Sequence, residues 1–183
     1  MIVFEKTLKR LDEFCFKENI EYAVIGGIAV VSYDYQRTTK DVDITVLCKL
    51  EEMEVIHKKF LTEYYPLYHD SLQFFSSNFL LPVKDIETKI KIDVAAGLTL
   101  FDETIIKRKK RTKLGKAEFN ICTLEDLIVY KLFAARFADL ADIEILLKKN
   151  KNKIDSDYLI KTVGKFKELD REDMFQNLNK LLP

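Results

Sequence analysis

The sequence has no tryptophan, and only five glycines and three prolines in 183 residues. With so few chain breakers and no Ser/Gly/Pro-rich stretch, its elements must follow one another through short connections, which argues against a linker or low-complexity region. Cysteine and histidine are scarce as well. Cys15, Cys48 and Cys122 are odd in number and widely spaced, and His57 and His69 neighbour neither each other nor a cysteine. A disulfide framework and a Cys/His zinc site are therefore not expected. Any metal would have to be held by carboxylates, which favours Mg²⁺, Mn²⁺ or Ca²⁺.

Neither sign of charge dominates, since 30 Lys+Arg stand against 30 Asp+Glu. A long apolar run is also lacking. The longest, Ala23 to Val31, has nine residues including two glycines, against the roughly 18 needed to cross a bilayer. The first residues carry charges and lack the pattern of a secretory signal. The sequence reads as a cytoplasmic protein with no membrane partner.

What is present is a chain 48% apolar and 33% charged, enough to bury a core and keep a soluble surface. Leu8, Leu11, Phe14 and Cys15 recur at helical spacing between Phe4 and Phe16, so the chain is expected to open with a helix. Tyr22 to Ile25 reads as a short strand ended by Gly26-Gly27, with a helix from Ile28 to Tyr35. Asp41 to Val46 alternates with period two, as a strand with one buried face does. A helix is expected over Glu51–Tyr64, strands over Gln73–Leu81 and Thr88–Val94, and a hairpin of Ile105–Arg111 with Ala117–Ile121 around Gly115. From Thr123 the pattern is helical: a capping-box-like Thr123-Leu-Glu-Asp126 opens a helix to about Arg136, and others begin at Asp139, Ser156 and Glu172. The expected fold is α+β, a mixed β-sheet with flanking helices over residues 1–122 followed by a C-terminal helical bundle over 123–183.

Four features carry chemistry. Gly26-Gly27 sits where an apolar strand meets a helix, and two readings stand side by side. The turn needs a positive φ or a close backbone approach, or the unpaired N–H groups of the helix start cradle a phosphate. Asp41 and Asp43, two apart on a strand, project from one face while Val42, Ile44 and Val46 project from the other. Two such carboxylates repel each other unless a cation sits between them, although a solvated strand face explains an Asp-x-Asp equally simply. In Lys89-Ile-Lys-Ile-Asp93-Val94 the apolar residues share one face, and Lys89, Lys91 and Asp93 the other. If this strand pairs beside the first, Asp93 joins the cluster, and three carboxylates can hold two Mg²⁺ ions about 3.5–4 Å apart for phosphoryl or nucleotidyl transfer. Finally, the basic run Lys107 to Arg111, continued by Lys113 and Lys116, is either a strip for RNA phosphates or a solvated edge hairpin.

Gly26-Gly27, thirteen intervening residues, Asp41-Val-Asp43 and the later Asp93 resemble the signature of the nucleotidyltransferase superfamily with the DNA polymerase β palm fold. Arg37-Thr-Thr39-Lys-Asp-Val-Asp-Ile44 is similar to a run common in its bacterial and archaeal branch. The tail from Thr123 to Ile143, with Lys131, Arg136, Asp139 and Asp142, is similar to the helix pair of the AbiEii toxin-type nucleotidyltransferases. Gly-Gly in place of the Gly-Ser of many relatives is usual in that branch, whereas Ala138 stands where a basic residue is common.

The resemblance implies a palm-like sheet with a helical domain closing over the nucleotide. It makes Asp41 and Asp43 metal ligands, with Asp93 the third ligand or general base. Gly26, Gly27, Arg37, Thr39 and Lys131 become nucleotide contacts, and Arg136 and Asp139 secondary candidates. Lys131 can alternatively snorkel from an apolar helix, and Asp139 can cap the helix it precedes.

The implied cofactors are two Mg²⁺ or Mn²⁺ ions, with an NTP as substrate. The implied reaction moves an NMP to an acceptor with release of pyrophosphate. The expected acceptor is RNA, with tRNA 3′ ends first, as in a toxin–antitoxin or phage-defence pair. A protein acceptor or cognate partner protein, a small molecule, and a non-catalytic nucleotide-binding module are the alternatives.

Overall fold

The computed structural model of the protein describes residues 2–33 and 38–182. In chain order the elements are α1 (Ile2–Lys17), β1 (Tyr22–Ile25), α2 (Gly26–Ser32), β2 (Asp41–Leu47), α3 (Met53–Phe60), β3 (Tyr64–Pro66), α4 (Ser71–Asn78), β4 (Leu80–Asp85), β5 (Lys91–Gly97), α5 (Leu100–Arg108), β6 (Lys110–Leu114), β7 (Ala117–Ile121), α6 (Leu124–Ala134), α7 (Phe137–Lys149), α8 (Ser156–Lys165) and α9 (Glu172–Leu181). The strands form one seven-stranded mixed sheet in the order β3-β4-β5-β2-β1-β7-β6. β2 lies between antiparallel β1 and parallel β5. The α+β expectation therefore holds.

Residues paired across neighbouring strands share a face of the sheet. One face gathers Tyr22, Val24, Val42, Ile44, Val46, Leu81, Val83, Ile92 and Val94, all buried. Phe14 of α1, Phe60 of α3 and Tyr64 of β3 meet nearby with ring centroids 5.0–5.6 Å apart. This is the apolar core. The opposite face carries Asp41, Asp43, Thr45, Lys91 and Asp93. At Thr45 it is closed, because Thr45 is fully buried beside Asp102 of α5, which also accepts a hydrogen bond from Tyr130 of α6. Toward Asp41 it is open.

Two expected strands are corrected. Gln73–Leu81 splits into helix α4 and strand β4, joined at Phe79 in the left-handed conformation (φ 56°). The aromatic run suggested a strand, but Ser71 and Phe75 are spaced four apart and bury one helical face. The hairpin strand placed at Ile105–Arg111 begins only at Lys110. Most of that segment is helix α5, started by a capping box in which Thr99 and Asp102 satisfy each other's backbone N–H. The helix expected over Glu51–Tyr64 stops at Phe60, and Tyr64 opens edge strand β3. In the tail, α6 begins at the Thr123 cap and buries Leu127, Ile128, Val129 and Leu132. Helices α7, α8 and α9 pack around it. Among the described residues no helix is long and apolar enough to cross a membrane.

Candidate active site

The sheet register brings the three aspartates together. Asp43 lies directly opposite Asp93 across the β2/β5 pair, and Asp41 opposite Lys91. Only that parallel pairing makes neighbours of residues fifty positions apart in sequence.

Asp43 is strongly perturbed. Burial, then the charge of Asp41, push its pKa up to about 6, with Asp93 adding to the effect. The Gly27 N–H, donating to Asp43 Oδ2 at 3.4 Å, and the charge of Lys91 work against the rise. Gly26 explains how Asp43 fits at all. At φ +62° it turns the chain from β1 into α2, and a Cβ there would lie 2.0 Å from Asp43 Oδ2. Ile25 at the α2 N-cap offers no side-chain acceptor, so no cap competes for the first-turn N–H groups.

Asp93 is held from one side only. Its Oδ2 accepts from Lys91 Nζ at 2.7 Å, while Oδ1 is buried without a hydrogen-bond partner among the described residues. Among the described residues no three Asp, Glu, His or Cys side chains stand close enough together to hold a metal ion as they are; the Asp93 carboxylate faces Lys91 instead. The donor set nevertheless fits a divalent cation. Three acidic side chains share one open face, one is driven toward protonation by burial and by its acidic neighbours, and another keeps a buried oxygen unpaired among the described residues. A hard oxygen-seeking ion relieves all three conditions.

Thr39 lies against Asp41, donating to its backbone carbonyl at 3.1 Å and reaching Oδ1 at 3.5 Å. Arg37 lies outside the described residues. Lys131 is 5% exposed, with its Nζ 3.0 Å from Asp139 Oδ1 and 2.7 Å from Asp142 Oδ2. It is therefore bound within the helical half and does not snorkel to solvent. Arg136, not Asp139, is the N-cap residue of α7, and Asp139 sits in the first turn. Although burial pushes the Asp139 carboxyl up, hydrogen bonds from Arg136 (2.6 Å) and Lys131 leave it below its ordinary range. The Arg136 side chain is 77% exposed and feels the charge of Asp43 as well as that of Asp139. The helical half thus presents a cation to the carboxylate face.

The basic run is largely neutralised within the chain. Lys107 pairs with Glu103, Arg108 with Asp126, Lys109 with Glu21, Arg111 with Asp12 and Lys113 with Glu118. Arg108 also stacks on the Tyr158 ring, 3.7 Å from its centroid, so it ties α5 to α6 and α8. Sequence reasoning placed Lys91 on the right face but gave it no role. The Thr99–Asp102 capping signal and the Thr45–Asp102–Tyr130 contact went unseen.

A family model described as "nucleotidyl transferase of unknown function (DUF2204)" matches residues 5–180. No curated protein sequence matches the chain. Among solved structures, the chain is similar to the lincosamide antibiotic adenylyltransferase LnuA bound to lincomycin. The identity is 16%, with 77% of this chain and 94% of that one covered and a TM-score of 0.52. It is also similar to the antibiotic-resistance factor ANT(2'')-Ia, at 8% identity, 93% and 95% coverage and a TM-score of 0.59. A nucleotidyltransferase-like protein from Paracoccidioides brasiliensis matches at 14% identity, 96% and 91% coverage and a TM-score of 0.54. At these identities the likeness is one of fold.

Proposed function

The chain belongs to the nucleotidyl transferase family whose model spans residues 5–180, and from that premise we propose that it transfers a nucleoside monophosphate from an NTP to a hydroxyl acceptor in a divalent-metal-dependent reaction. The observation that carries this reading is the register that sets Asp43 opposite Asp93 and beside Asp41 on one open face. Asp41 and Asp43 would hold the cation, with Asp93 as a further ligand or as the base. A bound Mg²⁺ or Mn²⁺ supplies neutralisation of triphosphate charge and a lower pKa for a coordinated hydroxyl. The acceptor oxygen attacks the α-phosphorus, its proton passes to Asp93, and the bond to the β-phosphate breaks to release pyrophosphate.

Gly26 leaves room for the Asp43 carboxylate, and the α2 start borders the phosphate side. Arg136, exposed and within reach of the field of Asp43, is the cation suited to the triphosphate. Lys131, paired twice and buried, acts as the internal strut that fixes Asp139 and through it Arg136. The boundary near residue 122 is then functional, because the sheet half carries the carboxylates and the helical half carries the arginine.

The acceptor that fits best is a small hydroxylated molecule. The basic run that favoured RNA is engaged by acids of the same chain, which removes most of its attraction for a polyanion. Two proteins of similar fold, LnuA and ANT(2'')-Ia, are named for antibiotic adenylylation or resistance.

The test is incubation of purified protein with each α-labelled NTP and Mg²⁺ or Mn²⁺. Three acceptor pools are offered separately: a low-molecular-mass cell extract, total RNA and cell protein. Asp43→Ala is run alongside. Label in the small-molecule pool, absent with the variant, supports the proposal. Label in RNA, at tRNA 3′ ends above all, returns the toxin-like reading, and label in protein returns the adenylylation of a partner. No transfer in any pool, with NTP binding retained, makes the chain a nucleotide-binding module.

A further inference from the structure

Lys91 stands inside the carboxylate patch. Across β2/β5 it lies directly opposite Asp41, on the face that also carries Asp43 and Asp93. Its Nζ is 2.7 Å from Asp93 Oδ2, and it feels the charges of Asp41 and Asp43 as well. On its other flank β4 sets Lys84 opposite Lys91, and Pro82 opposite Asp93. Among the described residues, the acids whose charge Lys91 feels, Asp93, Asp41 and Asp43, come from β2 and from β5 itself. The oxygen of Asp93 that Lys91 does not use, Oδ1, is buried without a partner among the described residues. Lys91 is 39% exposed along its side chain, and a four-carbon stem lets its ammonium move to solvent without moving the backbone.

We propose that Lys91 is a built-in counter-cation of this site, competing with divalent metal for Asp93, so that the nucleotide-free protein takes one ion on Asp41 and Asp43 and gains a second only when Lys91 leaves Asp93. The inference rests on the reading of this patch as the transfer site. The charges favour it. Three carboxylates bring three negative charges, Lys91 cancels one, and a single divalent ion cancels the other two. A second divalent ion would leave the patch positive by two and would sit against an ammonium a few ångströms away, which is costly in a partly buried site. An incoming triphosphate supplies the negative charge that makes the second ion acceptable, and it offers Lys91 another anion to face. Lys91 is thus a positioning residue that couples arrival of the second ion to arrival of the nucleotide.

The test is Mn²⁺ binding to metal-free protein without nucleotide, followed by the electron paramagnetic resonance signal of the free ion. The proteins are wild type, Lys91→Met, Lys91→Arg, Asp93→Asn and the double variant Lys91→Met/Asp93→Asn, each checked for folding by its thermal melt. Lys91→Gln replaces the methionine variant should that one not fold. The expected result is one Mn²⁺ per wild-type chain. Lys91→Met should bind a second ion and hold the first about tenfold or more tightly. Lys91→Arg should behave as wild type, and Lys91→Met should gain no second ion in the Asp93→Asn background. Equal number and affinity in wild type and Lys91→Met, or weaker binding in the variant, overturns the role of Lys91 and leaves the transfer site standing. Two ions on the nucleotide-free wild type overturn it in the same way. No Mn²⁺ on any folded protein overturns the metal-dependent site itself, and this inference with it.

Discussion

Asp43 occupies the volume that a side chain on Gly26 would need: a Cβ built on that glycine would lie 2.0 Å from Asp43 Oδ2 and 2.5 Å from its Cγ. The glycine at the end of β1 and the acid in the middle of β2 are therefore one device, and neither can change alone. Gly26 also has φ +62°, which costs an L residue about 1–2 kcal/mol. Gly26→Ala should lose at least that much stability in urea denaturation and should abolish NMP transfer, because Asp43 must move. A variant with wild-type transfer would mean that Asp43 has room to spare.

The raised pKa of Asp43 has a thermodynamic consequence. A carboxyl whose folded pKa is about 6, against 3.8 ordinarily, is disfavoured in its charged form by the fold. Its contribution to stability is fully present below pH 3.8 and is lost as pH rises through about 6. Over that window the loss from this residue is at most about 3 kcal/mol. With EDTA present, Asp43→Asn should gain stability over wild type at pH 8 and little at pH 5. Mg²⁺ should raise the wild-type melting temperature more at pH 8 than at pH 5. Melting curves with equal pH dependence in both proteins would show that Asp43 is not destabilised by its neighbours.

Lys131 links two buried acids, Asp139 and Asp142. Removing one partner of a buried ion pair strands the other charge, at a cost of roughly 3–5 kcal/mol. Lys131→Met should lower stability by about that amount, as measured by chemical denaturation. A variant as stable as wild type but with a raised KM for NTP would make Lys131 the phosphate contact that the family resemblance implies.

Arg136 should behave oppositely. Its side chain is largely exposed, and Asp139 keeps Lys131 when Arg136 is truncated, so Arg136→Ala should change stability by less than about 1 kcal/mol. Loss of a charge-assisted contact to phosphate costs about 1.5–3 kcal/mol, which corresponds to a rise of roughly tenfold to a hundredfold in KM for NTP. Unchanged steady-state kinetics would remove Arg136 from the site.

The pairing of the basic run predicts weak RNA binding. With Lys107, Arg108, Lys109, Arg111 and Lys113 all held by acids, few counterions are released on contact. Filter binding to a random RNA should be weak at physiological salt and should depend only shallowly on ionic strength. A steep dependence would mean that the ion pairs open readily and that RNA is a credible acceptor.

Much of this protein was legible in its sequence because the signals are local. Period-two alternation at Asp41–Val46 and at Lys91–Val94 fixes which face each side chain takes, whatever the strand pairs with, although the strand expected from Thr88 begins only at Lys91, after Lys89 in the left-handed conformation. Helical spacing marks α1 and the tail, and adjacent glycines mark the turn out of β1. Where two local signals competed, the local reading failed. The aromatic run at Phe74–Phe79 resembles a strand, yet it folds as a helix because burial of Phe75 and Ser71 on one side of α4 outweighs β-propensity. The helix at Leu100–Arg108 was lost to the basic residues that follow it.

By itself the sequence determined the α+β plan, the identity of the acids and the face of the strand on which each one lies. Only the tertiary structure decided which of them meet. The parallel pairing of β2 with β5 depends on a core shared by residues far apart in the chain, and that pairing places Asp93 beside Asp43 and sets Lys91 among the carboxylates. It also decided which charges are free, since an ion pair needs a partner whose position no stretch of sequence contains. That is why the basic run leaves a binding strip and a solvated hairpin both open in one dimension and reads as a set of internal pairs in three.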